Sequence, residues 1–299
     1  MAKSILVLGG NGYIGSRIIY DLEPHYLISS VDTCWFGKNL GYSMVLDYRD
    51  LTPTFLHKFD VVVLLAGHSS VKMCAGPVET SLANNVHNFI NLVRKLDKSQ
   101  LLIYASSGSV YGSEKKIGNE DDILDFLPIN SYDLTKCALD LHAKNFIKDG
   151  YQIVGFRFGT VNGWSPNTRE ELMINSMTRS GIEHGYISVS NKNISRPILG
   201  IADISRIIDA VIKNPIPGIF NVASFFATVG SISNSVSNVV SSKILETPDL
   251  LSAYDFAMST EKFTSSYNFE FQESIKSIID ELTNNETTFS NRNQFLEYV

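Results

Sequence analysis

The chain lacks the features that mark several large classes of protein. Its 299 residues carry 25 basic and 31 acidic side chains, a formal net charge of −6, and no cluster of lysine or arginine. Nucleic-acid-binding domains usually present a basic patch, so this pattern argues against nucleic acid as a partner. No apolar run approaches the roughly 18 residues of a membrane-spanning helix, and we expect no contact with a membrane.

Cysteine and histidine are also scarce. Cys34, Cys74 and Cys137 are widely spaced and odd in number, which suits a reducing compartment better than a disulfide framework. The N-terminal residues lead directly into a predicted strand and leave no room for a signal peptide, so we expect a cytoplasmic protein. The six histidines form no ligand-spaced pair with cysteine or carboxylate, and we expect no metal.

The first 32 residues are predicted to form a strand, a glycine turn, a helix and a second strand. Glycine lets the backbone approach a pyrophosphate, and the N-terminus of a helix stabilises its charge. Asp32, at the end of the second strand, can bond both hydroxyls of an adenosine ribose and repel a 2′-phosphate. The unit therefore predicts NAD rather than NADP. The expected contacts in this unit are Gly9, Gly12, Tyr13, Ile14, Gly15 and Asp32.

Strand and helix patterns alternate up to residue 158. Alternation of this kind predicts an α/β fold with a doubly wound parallel sheet (Rossmann), in which ligands bind at the carboxyl ends of the strands. Further strands are predicted at 43–46, 60–65, 100–105 and 152–157, with helices at 77–96 and 131–148.

The pattern changes after residue 158. We expect 1–158 and about 196–224 to form the NAD-binding domain, because a helix and a strand in the latter segment return to the first lobe. About 159–195 and 225–282 would then form a smaller C-terminal substrate-binding lobe. The polar residues 283–299 are typical of a loosely held tail.

Tyr132 and Lys136 stand four residues apart in a predicted helix, which places both side chains on one face. An ammonium group beside a phenol favours the phenolate. We therefore expect Lys136 to lower the pKa of Tyr132 from its usual value of about 10. Tyr132 is then a candidate proton-transfer group beside a cofactor that carries hydride.

The glycine turn, Ser107 in Ala105-Ser-Ser-Gly-Ser-Val-Tyr-Gly112, and Tyr132-x-x-x-Lys136 together resemble the extended short-chain dehydrogenase/reductase family. More narrowly, they resemble its NAD-dependent nucleotide-sugar epimerase/dehydratase branch, to about residue 280. The resemblance implies that Tyr132 is the catalytic acid/base, that Lys136 bonds the nicotinamide ribose, and that Ser107 holds the sugar oxygen.

The same resemblance implies further contacts. An arginine suits the nucleotide diphosphate, because its planar guanidinium pairs two oxygens at once. The implied cofactor contacts are Asp47, Ala66, Gly67, Asn85, Tyr132 and Lys136, and the implied substrate contacts are Ser107, Arg169, Asn175 and Arg196.

Four positions depart from the pattern of the branch. Gly108 and Ser109 follow Ser107 where 4,6-dehydratases place an Asp-Glu pair. Because dehydration needs an acid and a base, their absence argues against it. Thr160 replaces the asparagine of many sugar epimerases, and Gly200 stands where the family often has histidine.

We therefore expect an NAD-dependent epimerase that transiently oxidises a hydroxyl, most simply at C4, of a nucleotide-diphosphate sugar. An NAD(P)H-dependent keto-sugar reductase would use the same three residues and stays open as an alternative. A non-catalytic NAD-binding protein is a more distant one, because serine, tyrosine and lysine are all present. Family analogy also predicts a homodimer through the helices at 77–96 and 131–148.

Overall fold

The computed structural model describes residues 2–35, 39–112, 117–122, 125–249 and 255–285. In chain order the strands are β1 Ser4–Leu8, β2 Leu27–Asp32, β3 Met44–Val45, β4 Val61–Leu64, β5 Leu101–Ser107, β6 Ile117–Gly118, β7 Gln152–Phe158, β8 Thr160–Asn162, β9 Tyr186–Val189, β10 Ser195–Gly200, β11 Gly218–Val222, β12 Phe225–Thr228, β13 Lys243–Glu246 and β14 Ala257–Met258. The helices are α1 Tyr13–Leu22, α2 Pro53–Leu56, α3 Val78–Leu82, α4 Asn88–Lys95, α5 Ser131–Lys148, α6 Met173–His184, α7 Ile201–Lys213, α8 Val229–Val240, α9 Glu261–Tyr267 and α10 Ile275–Asn284.

Seven parallel strands form the central sheet in the order β11-β7-β5-β4-β1-β2-β3. This order confirms the predicted doubly wound α/β fold. The chain winds outward from β1 in both directions, so β1 lies at the point where the strand order reverses and a crevice opens. The strands are apolar on both faces because helices cover both.

The alternation of side chains along β1 shows how the two faces are filled. Ile5 and Val7 pack with residues of α1 and α7, whereas Leu6 and Leu8 pack with residues of α4 and α5. The predicted helix at 77–96 consists of α3, a π-helical turn at Ala83–His87, and α4. Helix α5, which bears the Tyr-Lys pair, is packed beside α4 against this face of the sheet.

A second lobe is built from β8, β10 and β12, which form a three-stranded sheet, and from α6, α8 and α10. The segment 196–224 divides between the two lobes, since β10 pairs with β8 and β12 while β11 pairs with β7. Helix α9 also departs from the prediction that all of 225–282 lies in the smaller lobe. Phe263 packs against Phe156 and Phe220 of the central sheet, because this aromatic cluster covers the sheet's edge.

The boundary between the second lobe and the C-terminal tail also differs from the prediction. Helix α10 continues through Thr283 to Asn284, because Ile278, Ile279 and Leu282 are buried against the second lobe. The rest of the predicted tail, from residue 286, lies outside the described residues. Over the part of the chain that the structure describes, no helix has the length and apolar character to cross a membrane. The cytoplasmic location stays a prediction.

Candidate active site

A cavity of about 310 Å³ lies across the carboxyl ends of the central strands, between the two lobes. Most of the residues singled out from the sequence line it, although they come from segments up to 160 residues apart. Those in its wall are Gly9, Gly12, Tyr13, Ile14, Gly15, Asp32, Asp47, Ala66, Gly67, Asn85, Ser107, Tyr132, Lys136 and Arg169.

The glycine turn between β1 and α1 is too tight for side chains. Gly9 has φ +97°, and a Cβ on Gly15 would lie 2.2 Å from the Gly9 carbonyl oxygen. Helix α1 begins at Tyr13 directly against the cavity, with no side chain on its N-cap, Gly12. The backbone therefore leaves space for a pyrophosphate at the N-terminus of a helix.

Asp32 holds its carboxylate over this turn. Its two oxygens accept hydrogen bonds from the backbone N–H groups of Asn11 (2.9 Å) and Cys34 (2.7 Å). Burial raises the pKa of Asp32, and these hydrogen bonds oppose the rise. The carboxylate is thus fixed in place at the end of β2, where a ribose would be bound.

Asp47 lies at the same end of the cavity and is bound to Arg49. The Asp47 carboxylate accepts hydrogen bonds from the Arg49 backbone N–H (2.9 Å) and Nε (2.8 Å). Burial opposes its ionisation, but these bonds and the charge of Arg49 lower the pKa of Asp47 overall. Asp47 therefore stays ionised at the edge of the cavity.

Asn85 ties the wall behind the cofactor region to α5. Its Oδ1 accepts from the His68 backbone N–H (2.8 Å), and its Nδ2 donates to the His68 carbonyl (3.1 Å) and to Thr135 Oγ1 (3.0 Å). Gly67 has φ +147°, and a Cβ there would lie 2.8 Å from Asn85 Oδ1. These contacts fix the loop after Ala66. The Asn85 amide is used for hydrogen bonds within the protein, so it holds the loop in place and is not free to donate to a ligand.

Ser107, Tyr132 and Lys136 meet at the carboxyl end of β5. The Ser107 hydroxyl lies near enough to Tyr132 to lower its pKa, and it lies 2.9 Å from Ser109 Oγ. Lys136 Nζ donates to the Ala105 carbonyl (2.9 Å) and lies 5.7 Å from the centroid of the Tyr132 ring. The three side chains are close enough to act on one substrate oxygen.

The expected lowering of the Tyr132 pKa is wrong for this structure. Burial raises the pKa of Tyr132 to about 12, against a smaller lowering by the Ser107 hydrogen bond and the charge of Arg169. Burial also lowers the pKa of Lys136 to about 8, partly offset by the charge of Asp140. Desolvation penalises phenolate and ammonium alike, and here it is the largest cause of both shifts.

A buried polar network behind the site was not identified from the sequence. Asp140 accepts hydrogen bonds from Tyr104 Oη (2.9 Å) and Arg157 Nε (2.7 Å), and Arg157 Nη1 donates to Tyr111 Oη (2.7 Å). The side chains of Asp140 and Arg157 are fully buried. The sequence holds two indications of this network. Asp140 stands one helical turn after Lys136, and Arg157 lies inside an otherwise apolar strand.

Asn175 and Arg196, two of the implied substrate contacts, do not line the cavity. Asn175 is fully buried; it accepts from the Gly163 backbone N–H (2.9 Å) and donates to the Arg169 carbonyl (2.9 Å) and Tyr13 Oη (3.3 Å). It joins the second lobe to the glycine turn, which is a structural role. Arg196 lies on β10 and is only partly exposed.

Trp35 and His68 also line the cavity, and their ring centroids are 5.8 Å apart. Trp35 was not identified from the sequence, since nothing in its spacing marks it. Among the described residues no group of three or more histidine, cysteine, aspartate or glutamate side chains could hold a metal ion.

Comparison with known proteins decides the family. Residues 5–223 match the model of the NAD dependent epimerase/dehydratase family. The chain belongs to this family. Its extended short-chain dehydrogenase/reductase resemblance is thereby confirmed, and so are its enzymatic nature and its dependence on NAD. The glycine turn and the fixed Asp32 carboxylate fit that cofactor.

Two curated relatives match most of the chain. The chain is 26% identical over 276 residues to an ADP-L-glycero-D-manno-heptose-6-epimerase of Brachyspira hyodysenteriae, covering 83% of this chain and 85% of the relative. It is 30% identical over 236 residues to Protein CapI of Staphylococcus aureus, covering 71% and 70%.

Solved structures share the fold. UDP-glucose 4-epimerase of Thermotoga maritima, solved with UDP-glucose, has a TM-score of 0.82 at 17% identity and covers 95% of this chain and 99% of its own. UDP-glucuronic acid 4-epimerase of Bacillus cereus, solved with UDP-glucuronic acid and NAD, has a TM-score of 0.77 at 20% identity and covers 93% and 97%.

The position of Asp32 generates a test of cofactor recognition. Asp32→Asn should weaken NAD binding about tenfold or more, because a hydrogen bond to a charged group contributes about 1.5–3 kcal/mol. It should also narrow the preference for NAD over NADP, since the charge that repels a 2′-phosphate is removed. Calorimetric titration with both dinucleotides measures this. Asp209→Asn, a carboxylate on α7 outside the cavity, should change neither affinity. An equal loss for NAD and NADP would contradict the ribose contact.

Proposed function

We propose that the protein is a nucleotide-sugar epimerase that acts on the C4 hydroxyl of a nucleotide-diphosphate sugar. The observation that supports this most strongly is the meeting of Ser107, Tyr132 and Lys136 in the cavity that the glycine turn also lines. Two of the solved neighbours are named as nucleotide-sugar 4-epimerases and one curated relative as a nucleotide-sugar 6-epimerase, so the names support epimerisation, whereas the choice of C4 is our proposal.

In the proposed reaction Tyr132 takes the proton of the sugar hydroxyl and later returns it. Ser107, which lies beside Tyr132 in the cavity wall, holds the sugar oxygen as it becomes a carbonyl. The glycine turn and Asp32 would hold NAD, which would supply the hydride chemistry at the ring carbon. The chain's own residues need only orient the oxygen and move one proton.

Lys136 supplies the fixed positive charge. Its ammonium donates a hydrogen bond to the Ala105 carbonyl and lies on the same face of α5 as Tyr132. It therefore does not have to reorganise when the phenolate forms. This is electrostatic preorganisation, which is worth most in a site that excludes water.

Epimerisation fits the cavity better than dehydration. Removing water across C5–C6 needs an acid and a base beside the sugar, but Gly108 and Ser109 follow Ser107 on the chain. In the described part of the cavity wall the carboxylates are Asp32 and Asp47, which we assign to the adenosine end of NAD.

Replacing Tyr132 with phenylalanine tests the chemistry. Proton transfer by a positioned side chain contributes about 10²–10⁴-fold, so Tyr132→Phe should lower kcat by at least that factor. NAD affinity should stay within about twofold, because the ring is retained. Tyr20→Phe, at a tyrosine that is 54% exposed on α1, is the matched control and should keep full activity. Retention of turnover in Tyr132→Phe would contradict the mechanism.

The reductase alternative predicts a different resting state. An epimerase returns its cofactor to the starting oxidation state in every turnover, so we expect protein purified without added nucleotide to carry NAD. Denaturing the protein and quantifying the released dinucleotide by chromatography measures this. A near-stoichiometric amount of NAD is the expected result. An empty site that binds added NADH or NADPH tightly would favour the keto-sugar reductase.

We also propose a homodimer that pairs through the helices at 78–95 and α5. Leu134 and Leu141 on α5 are 41% and 38% exposed and seven residues apart, which puts both on one outer face of the helix. The double change Leu134→Glu with Leu141→Glu should halve the mass measured by light scattering. Leu245→Glu, at an exposed leucine of β13, should not. A monomeric wild-type protein would contradict the dimer.

A further inference from the structure

Two aromatic side chains in the cavity wall have no part in the proposed reaction. Trp35 follows β2 and His68 follows β4, and their ring centroids are 5.8 Å apart. Both strands flank β1 in the central sheet, so the two loops lie on either side of the glycine turn that follows β1. We call this contact between the two rings the aromatic bridge.

The aromatic bridge spans a gap that the strands alone would leave open. Neighbouring strands lie about 4.8 Å apart, so β2 and β4, with β1 between them, are separated by about 10 Å. The ring centroids lie closer together than that, and both side chains line the cavity that the glycine turn also lines. The two rings therefore reach toward each other across the carboxyl end of β1, on the side that borders the cavity.

The loop that carries Trp35 is attached to the glycine turn. Cys34 has φ +57°, in the left-handed region, and its backbone N–H donates to Asp32 Oδ1 (2.7 Å). Asn11, a buried residue of the glycine turn, donates from Nδ2 to Cys34 Sγ (3.1 Å). A residue other than glycine keeps such a conformation only where its surroundings hold it. The position of Trp35 is therefore tied to that of the glycine turn.

His68 is fixed from the other side of the turn. Its backbone N–H donates to Asn85 Oδ1 (2.8 Å), and its carbonyl accepts from Asn85 Nδ2 (3.1 Å). Its ring Nδ1 lies 3.3 Å from the hydroxyl oxygen of Ser81, a buried residue. Burial lowers the pKa of His68 below its usual range, so the ring is neutral at pH 7. The contact with Trp35 is therefore one between two neutral aromatic rings.

A dinucleotide in the cavity has to cross this point of the sheet. Asp32 and Asp47 lie on the side of β2 and β3, where we place the adenosine of NAD. Lys136 lies beside β5, where we place the nicotinamide. The end of β1 lies between these two regions in the strand order. The pyrophosphate that joins the two halves of NAD would then lie between the glycine turn and the aromatic bridge.

We propose that Trp35 and His68 close over the pyrophosphate of NAD and retain the dinucleotide between turnovers. The two rings would have to part before NAD could leave the cavity. The indole N–H of Trp35 is also a donor that can meet a phosphate oxygen. The inference rests on the placement of NAD in this cavity. It suits the proposed epimerase, which does not need to exchange its cofactor in each turnover, whereas a reductase does.

The rate at which the dinucleotide dissociates tests the aromatic bridge. Protein loaded with NADH is mixed with an excess of NAD, and the loss of bound NADH is followed by stopped-flow fluorescence. Trp35→Ala should raise the dissociation rate about tenfold, because the contact between the rings is lost and the pyrophosphate is uncovered. Trp35→Phe keeps a ring at this position and should change the rate by less than threefold. An unchanged melting temperature without added nucleotide reports that each variant is folded.

A double-mutant cycle measures whether the two rings act together. His68→Ala should raise the dissociation rate to a similar extent. The double change Trp35→Ala with His68→Ala should raise it no further, because either single change already opens the bridge. Tyr186→Ala is the matched control, since it removes a ring contact with His184, at 5.9 Å between centroids, on the second lobe outside the cavity. Its dissociation rate should equal that of the wild type.

Each outcome separates this inference from the placement of NAD on which it rests. An unchanged dissociation rate in Trp35→Ala would overturn the proposal and leave the epimerase intact. Additive effects of the Trp35 and His68 changes would also overturn it, because they would indicate two separate contacts with NAD and no bridge. A wild-type protein that binds no NADH would contradict the placement of NAD in this cavity, and the aromatic bridge with it.

Discussion

The buried ion pair between Asp140 and Arg157 is the constraint on which the catalytic geometry depends. The two side chains are 2.7 Å apart and fully excluded from solvent. Removing one partner of such a pair costs about 3–5 kcal/mol, so α5 and β7 have one favourable alignment. Tyr104 of β5 bonds the same carboxylate, and Gly155 of β7 makes room for it, since a Cβ there would lie 2.4 Å from the Tyr104 hydroxyl oxygen. Because α5 bears Tyr132 and Lys136 and β5 ends at Ser107, this pair sets the position of all three.

Local spacing explains how much of the site could be predicted. The glycine turn, Asp32 and the Tyr132–Lys136 pair are each defined within one or two neighbouring elements, and periodicity was enough to place them. The pKa of Tyr132 was not predictable in this way, because spacing shows which charge is near a phenol but not how much water surrounds it. Arg157 and Tyr111 lie 46 residues apart, and only the folded sheet shows that they meet.

The second lobe shows the same limit over longer distances. Asn175 was grouped with the substrate contacts, yet its amide joins Gly163 and Tyr13, a partner 162 residues away. Helix α9 was assigned to the smaller lobe, but Phe263 packs between Phe156 and Phe220 of the central sheet. In both cases the polar or aromatic character was visible in the sequence. The partner was not, because it is set by how the chain crosses between two sheets.

The displaced pKa values of Tyr132 and Lys136 have a single cause with a functional consequence. Burial favours the neutral form of each, so the pKa of the phenol rises to about 12 and that of the amine falls to about 8. A neutral tyrosine is ready to return a proton, but it can act as a base only if positive charge stabilises the phenolate. Below pH 8 Lys136 carries that charge, and it loses the charge as pH rises through its pKa. Perturbed pKa values of this kind cluster at functional sites because the burial that displaces them also strengthens the electrostatic control of proton transfer.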